Sequence, residues 1–126
     1  MKKLLLLAVV IIFSINLSGC LLLAGAAGGG GTAIWLSGKL TEEVNYSLER
    51  SFKAAESAMN SLGYEISRSS VKEKVGQIIG NYSDGKTIWI DVHKISENRS
   101  KIEVRVGAAG DKDAARKILD KIKRYL

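Results

Sequence analysis

The sequence predicts an α+β domain. It is a two-layer sandwich in which an antiparallel meander sheet of four to five strands carries two helices on one face, in the order (β)-α-β-β-β-β-α, behind an N-terminal signal peptide. Three observations predict it. Two segments place apolar residues at helical spacing: Leu48, Phe52, Ala55, Met59 and Leu62 in one, Ala115, Ile118, Leu119, Ile122 and Leu126 in the other. Between them, four short runs alternate apolar and polar residues and are separated by turn residues. Each element therefore has one apolar face, and such faces are buried only by stacking on one another.

The N-terminus is of a different kind. A positive end (Met1-Lys2-Lys3), an apolar stretch from Leu4 to Ile15 and small residues at Ser18 and Gly19 make up the three parts of a secretory leader. An apolar run of about a dozen residues is short of the roughly 20 that a transmembrane helix needs, which favours an export leader over a permanent span. It ends in Leu17-Ser18-Gly19-Cys20, which resembles the bacterial lipobox. The resemblance implies cleavage between Gly19 and Cys20 and a diacylglyceryl thioether on Cys20, which becomes the lipidated N-terminus. Cysteine supplies the strong nucleophile that thioether formation needs, and the small residues before it fit an extended chain into a peptidase site. At about 0.8 kcal/mol per buried methylene, two or three acyl chains hold a protein on a membrane where one would not. Leu21 is not the aspartate associated with inner-membrane retention. The expectation is an outer-membrane lipoprotein facing the periplasm where two membranes are present, and otherwise one on the outer face of the cell membrane.

Residues 20–38 then read as the lipidated cysteine and a glycine-rich tether, since residues 21–38 carry no charge and four consecutive glycines stand at 28–31. Two readings stay open. One is a flexible spacer with Ile34, Trp35 and Leu36 dipping into the membrane interface. The other is a self-associating glycine zipper, with Gly25 and Gly29 as a small-xxx-small face on a helix.

The folded domain is expected over residues 39–126. Leu40, Val44 and Tyr46, interrupted by Glu42, suggest a weak edge strand. Ser47 is placed to cap the first helix and Gly63 to end it. The alternating runs 64–69, 76–83, 87–95 and 100–107 read as strands. Ser83-Asp84-Gly85-Lys86 and Ser96-Glu97-Asn98-Arg99 supply the turn chemistry of two hairpins. Ile88, Ile90 and Val92 share one face, as do Ile102, Val104 and Val106, and Asp111 or Asp113 starts the last helix.

The segments YSLERSFKAAESAMNSLGYEI, GQIIGNYSDGKTIWIDV and IEVRVGAAGDKDAARKILDKI, together with the lipobox and glycine-rich linker, resemble an uncharacterised family of small bacterial envelope lipoproteins, a domain-of-unknown-function family. The likeness covers nearly the whole mature chain. Its motifs are fold signatures, and it implies no catalytic residue. One departure is Gly80, where an alanine is expected on the core face.

Composition narrows function further. With 126 residues there is room for one small domain and none for a cleft between two cores. One cysteine, one histidine and no proline give neither a disulfide framework nor a spaced metal-ligand motif, so no metal and no cofactor is expected. Asp91 and His93 lie two apart on a strand and share a face, an arrangement that orients a general base, but no nucleophile accompanies them. The expectation is a protein that is not an enzyme, with an envelope hydrolase as the weakest alternative. Trp89, on the same face as Asp91 and His93, with Lys101, Glu103 and Arg105 on the next strand, makes Trp89, His93 and Arg105 candidate partner contacts. The glycines lack the Lys-Ser/Thr pair of a phosphate loop. Formal charge is +6, and residues 99–126 hold nine Lys/Arg against four Asp/Glu. That excess suits the end of the last helix, or attraction to an anionic envelope polymer or lipid headgroups. The partners expected are the membrane, through acyl chains on Cys20, and an envelope protein or polymer. Nucleic acid is not expected, because export separates the chain from it.

Overall fold

A computed structural model of the chain describes residues 2–9 and 33–126. The chain divides between Thr32 and Ala33 into two units. In the first, residues 2–9 form a helix (α1), which adds a third helix to the two expected. Gly19, Cys20 and both readings of residues 21–32 lie outside the described residues. Among the described residues no helix is long and apolar enough to cross a membrane.

The second unit follows the order β1 (Ile34–Leu36), β2 (Lys39–Val44), α2 (Leu48–Ser61), β3 (Glu65–Val71), β4 (Val75–Asn81), β5 (Thr87–Ser96), β6 (Arg99–Val106), α3 (Lys112–Arg124). Its strands form one antiparallel sheet in the spatial order β1-β2-β6-β5-β4-β3. The long connection through α2 carries the chain from β2 to the far edge, and the meander β3 to β6 brings it back to pair with β2. Helix α2 packs over β3, β4, β5 and β6, and α3 over β2 and β6. The α+β class and the single buried sheet face are as expected, and Ile88, Ile90, Val92, Ile102, Val104 and Val106 are all fully buried.

Local chemistry explains the helix ends. Ser47 Oγ accepts a hydrogen bond from the Arg50 amide at 3.2 Å, and the Asp111 carboxylate accepts one from the Ala114 amide at 3.1 Å. Lys86, in the β4–β5 turn, lies 3.2 Å from Asp84 and 3.4 Å from Asp111, joining that hairpin to the start of α3.

The sheet departs from expectation in two places. It has six strands, not four to five, because residues 34–36 are a strand and not part of a tether. Ser37 (φ 54°) and Gly38 (φ 80°) both take the left-handed conformation, the geometry of the two-residue turn that matches strand twist. The register Trp35↔Leu40 then puts Trp35 on the core side, where it packs against the buried cluster. An interfacial role for Trp35 is thereby replaced by a packing role, while Ile34 and Leu36 remain exposed. It follows that β2 is an edge strand only in its second half, since β1 pairs with Lys39, Leu40 and Thr41 on one side while β6 runs along the other from Leu40 to Val44. Glu42 lies one residue past that pairing, and it is 2% exposed because its side chain turns to the inner face, where α3 packs and Lys123 meets it.

Gly80 has a physical reason as well. A Cβ there would meet Met59 Cε at 2.5 Å and the Glu65 carbonyl oxygen at 2.6 Å. The expected alanine does not fit where α2 and β3 close on this strand.

Candidate functional site on the outer sheet face

The face turned away from the helices is polar, and its order follows from the register. Trp89 pairs with Arg105, Asp91 with Glu103, and His93 with Lys101 across β5 and β6. On the flanking strands Gln77 pairs with Asp91, and Thr41 with Glu103. One row across four strands therefore reads Gln77, Asp91, Glu103, Thr41. Strand alternation alone brings these groups to one side.

Glu103 is the electrostatic centre. Its side chain is only 16% exposed, and its carboxylate lies 3.4 Å from His93 Nε2, 3.5 Å from Lys101 Nζ and 3.7 Å from Lys39 Nζ. All three contacts are longer than the roughly 2.7–2.9 Å of a charge-assisted hydrogen bond. Asp91 is held differently: Gln77 Nε2 donates to its Oδ1 at 2.9 Å. His93 thus faces the carboxylate of the neighbouring strand more closely than sequence spacing suggested, and one ligand atom from each of Asp91, His93 and Glu103 lies within 4.8 Å of the others.

An open pocket of about 170 Å³ sits beside this cluster, lined by Lys39, Trp89, Asp91, Glu103 and Arg105. Trp89 is half-buried and forms one wall. The Arg105 guanidinium is committed elsewhere, since Nη2 donates to the Ser37 carbonyl at 2.7 Å and Nε is buried without a protein partner. It anchors the β1–β2 turn as well as lining the pocket. The structure thus brings Trp89, His93 and Arg105 onto one face, as their alternation implies.

The sequence places Glu103 and Glu42 on strands without assigning either a role. Glu103 belongs at the centre, and the missing signal is the register that sets it opposite Asp91. Glu42 stands on the inner face. Lys123 Nζ lies 3.2 Å from Oε1, to which it donates, and 3.1 Å from Oε2, which receives charge without a directed hydrogen bond. Burial pushes the Glu42 carboxyl above the ordinary carboxylate value, and the Lys123 hydrogen bond and charge pull it only part of the way back. One cation of the basic last helix is thereby directed at the core, although the Lys123 side chain stays 36% exposed, and Lys112, Arg116, Lys117 and Arg124 are exposed as well.

A comparison with curated proteins finds no match. A family model covers residues 3–125. By that match the chain belongs to the family described as protein of unknown function (DUF3568).

Proposed function

We propose that this chain is a lipid-anchored protein of the bacterial cell envelope whose α+β domain is a non-enzymatic binding or structural module. The observation that carries the reading is Leu17-Ser18-Gly19-Cys20 at the end of a positively led apolar run. The folded unit begins at Ala33, so residues 21–32 lie between the proposed lipid and the domain. Ile34 and Leu36, exposed on the first strand, and the half-buried Trp89 supply apolar contact area beside charged neighbours. Lys39 and Lys101 oppose the charge of Glu103 on the sheet, which suits a surface made for contact.

Intact mass of the chain extracted from membranes tests the anchor. The expected species begins at Cys20 and carries acyl chains; a free thiol at Cys20 or a retained Met1 overturns the reading. For the module, Trp89→Ala is expected to keep the melting transition and to change the set of crosslinked envelope partners. An unchanged set removes Trp89 from the contact surface.

A further inference from the structure

We propose that Asp91, His93 and Glu103 bind a divalent transition-metal ion on the outer face of the sheet, with Gln77 as the positioning residue for Asp91. The inference uses the face assigned above to binding but does not need the lipid anchor or a protein partner.

The starting point is an arrangement that strands normally avoid. Asp91 and Glu103 stand directly opposite each other on one face, and like charges so placed are destabilising. Lys39 and Lys101 already offset part of that repulsion from the side of Glu103; a cation between the two carboxylates removes the rest, and an imidazole is already at hand, with His93 Nε2 at 3.4 Å from Glu103 Oε2. Ligand atoms on a tetrahedral ion with bonds of about 2.0–2.2 Å lie roughly 3.4 Å apart. The His93–Glu103 pair meets that spacing, and all three ligand atoms lie within 4.8 Å of one another, so a modest swing of the Asp91 side chain completes the set.

The donor chemistry selects the ion. An imidazole with two carboxylates suits Zn²⁺ and its first-row neighbours better than Ca²⁺ or Mg²⁺, which take oxygen ligands. Two carboxylates also balance a double positive charge. The Gln77 hydrogen bond to Asp91 Oδ1 is the outer support that orients a metal-binding carboxylate. Lys39 and Lys101 compete for Glu103, but their side chains are 40% and 37% exposed, and an exposed ion pair is released to water at little cost. Three protein ligands on an open face leave coordination positions for water or a bound group, as in metal sites that act on a ligand.

The test titrates Co²⁺ alone into the full-length chain in detergent, followed by its visible absorption, with Zn²⁺ as competitor. His93 is the only histidine and Cys20 the only cysteine, so the ligand types are separable by spectrum. The expected result is saturable one-to-one binding without a thiolate charge-transfer band. His93→Ala and Glu103→Gln should abolish it, Gln77→Ala should weaken it by about tenfold or more, and Glu43→Gln, a carboxylate on the same face outside the set, should leave it unchanged. Unchanged melting in each variant shows that metal binding, not folding, has moved. No saturable binding, a thiolate band, or undiminished binding by a folded His93→Ala chain overturns the proposal. Partner capture by Trp89 is scored separately, so failure here and failure of the binding-module reading are distinguishable.

Discussion

The two faces of one sheet are built from alternate residues of the same strands, yet they obey different rules. On the inner face of β5 and β6, Ile88, Ile90, Val92, Ile102, Val104 and Val106 have no exposure. Each such side chain is worth roughly 1.5–3 kcal/mol through burial alone. On the outer face Trp89, Asp91, His93, Lys101, Glu103 and Arg105 keep partial contact with solvent. The comparison teaches that stability resides on the face that excludes charge, which frees the other to arrange charge for recognition. Glu42 is the exception, a carboxylate on the inner face with a single cation to hold it.

The largest effect should come from placing an outer-type residue inside. Ile90 is fully buried between the sheet and the helices, so Ile90→Asp buries a carboxylate without a partner. The loss approaches the roughly 5–15 kcal/mol that small domains possess in total, and thermal unfolding followed by circular dichroism should show no cooperative transition. His93→Ala, three residues along the same strand but facing out, should stay within about 0.5 kcal/mol of the parent. Comparable losses from both would erase the distinction between the faces.

Lys123 comes next. Its ammonium supports the buried Glu42 but is itself 36% exposed, so its removal should cost less than the roughly 3–5 kcal/mol typical of a fully buried pair. Lys123→Ala should therefore lose at most about 3 kcal/mol at neutral pH by denaturant unfolding, whereas Glu42→Gln, which removes the buried charge itself, should lose less. The sign of the pH dependence follows from the raised Glu42 value. The folded chain holds this proton more tightly than the unfolded one, so the stability that protonation contributes is fully present below 4.5 and is lost as pH rises through the folded-state value above it. Lys123→Ala removes the two larger of the three influences that lower that value, leaving only the charge of Arg116, and should extend the window upward, regaining part of its lost stability on acidification. Glu42→Gln should flatten this contribution.

Gly80→Ala should give an intermediate loss. The added methyl meets Met59 Cε, which can move, and the Glu65 carbonyl oxygen, which is backbone and cannot move without displacing β3. Overpacking of this kind costs typically about 1–3 kcal/mol. An unchanged melting temperature would show that β3 yields freely at this edge.

Most of this architecture was readable from residue order because its signals are local and periodic. Helix α2 has a hydroxyl cap at Ser47 and a stripe from Leu48 to Leu62; burial alternates along β4 and β6 and through the first seven residues of β5. What escaped is short or non-local. Strand β1 has three residues, too few for alternation to register, and its apolar run resembles a continuation of the tether. Glu42 reads along the chain as a break in an edge strand, because its partner lies 81 residues away. The outer-face residues Trp89, Asp91 and His93 follow from alternation within one strand. The opposition of Asp91 and Glu103, however, depends on the β5–β6 register, which a bulge between Lys94 and Ser96 helps to set. A metal-ligand search by spacing along the chain passes over such a set.

The smallest effect is expected at the rim of the outer face, and it sharpens the comparison from the opposite side. Arg99 Nη2 lies 2.8 Å from Glu43 Oε2, the shortest of the ion pairs on the sheet, yet the two side chains are 47% and 53% exposed. Short contact and high exposure make opposite predictions. Distance alone argues for a strong charge-assisted bond; exposure argues that water and salt screen it and that ordering two long side chains offsets the gain. If exposure decides, Arg99→Ala should cost no more than about 1 kcal/mol, and raising the salt to about 1 M, where the Debye length falls to about 3 Å, should bring parent and variant together. A loss above that range, or one that persists in high salt, would mean that the outer face also holds the fold together, and the division of labour between the two faces would have to be redrawn.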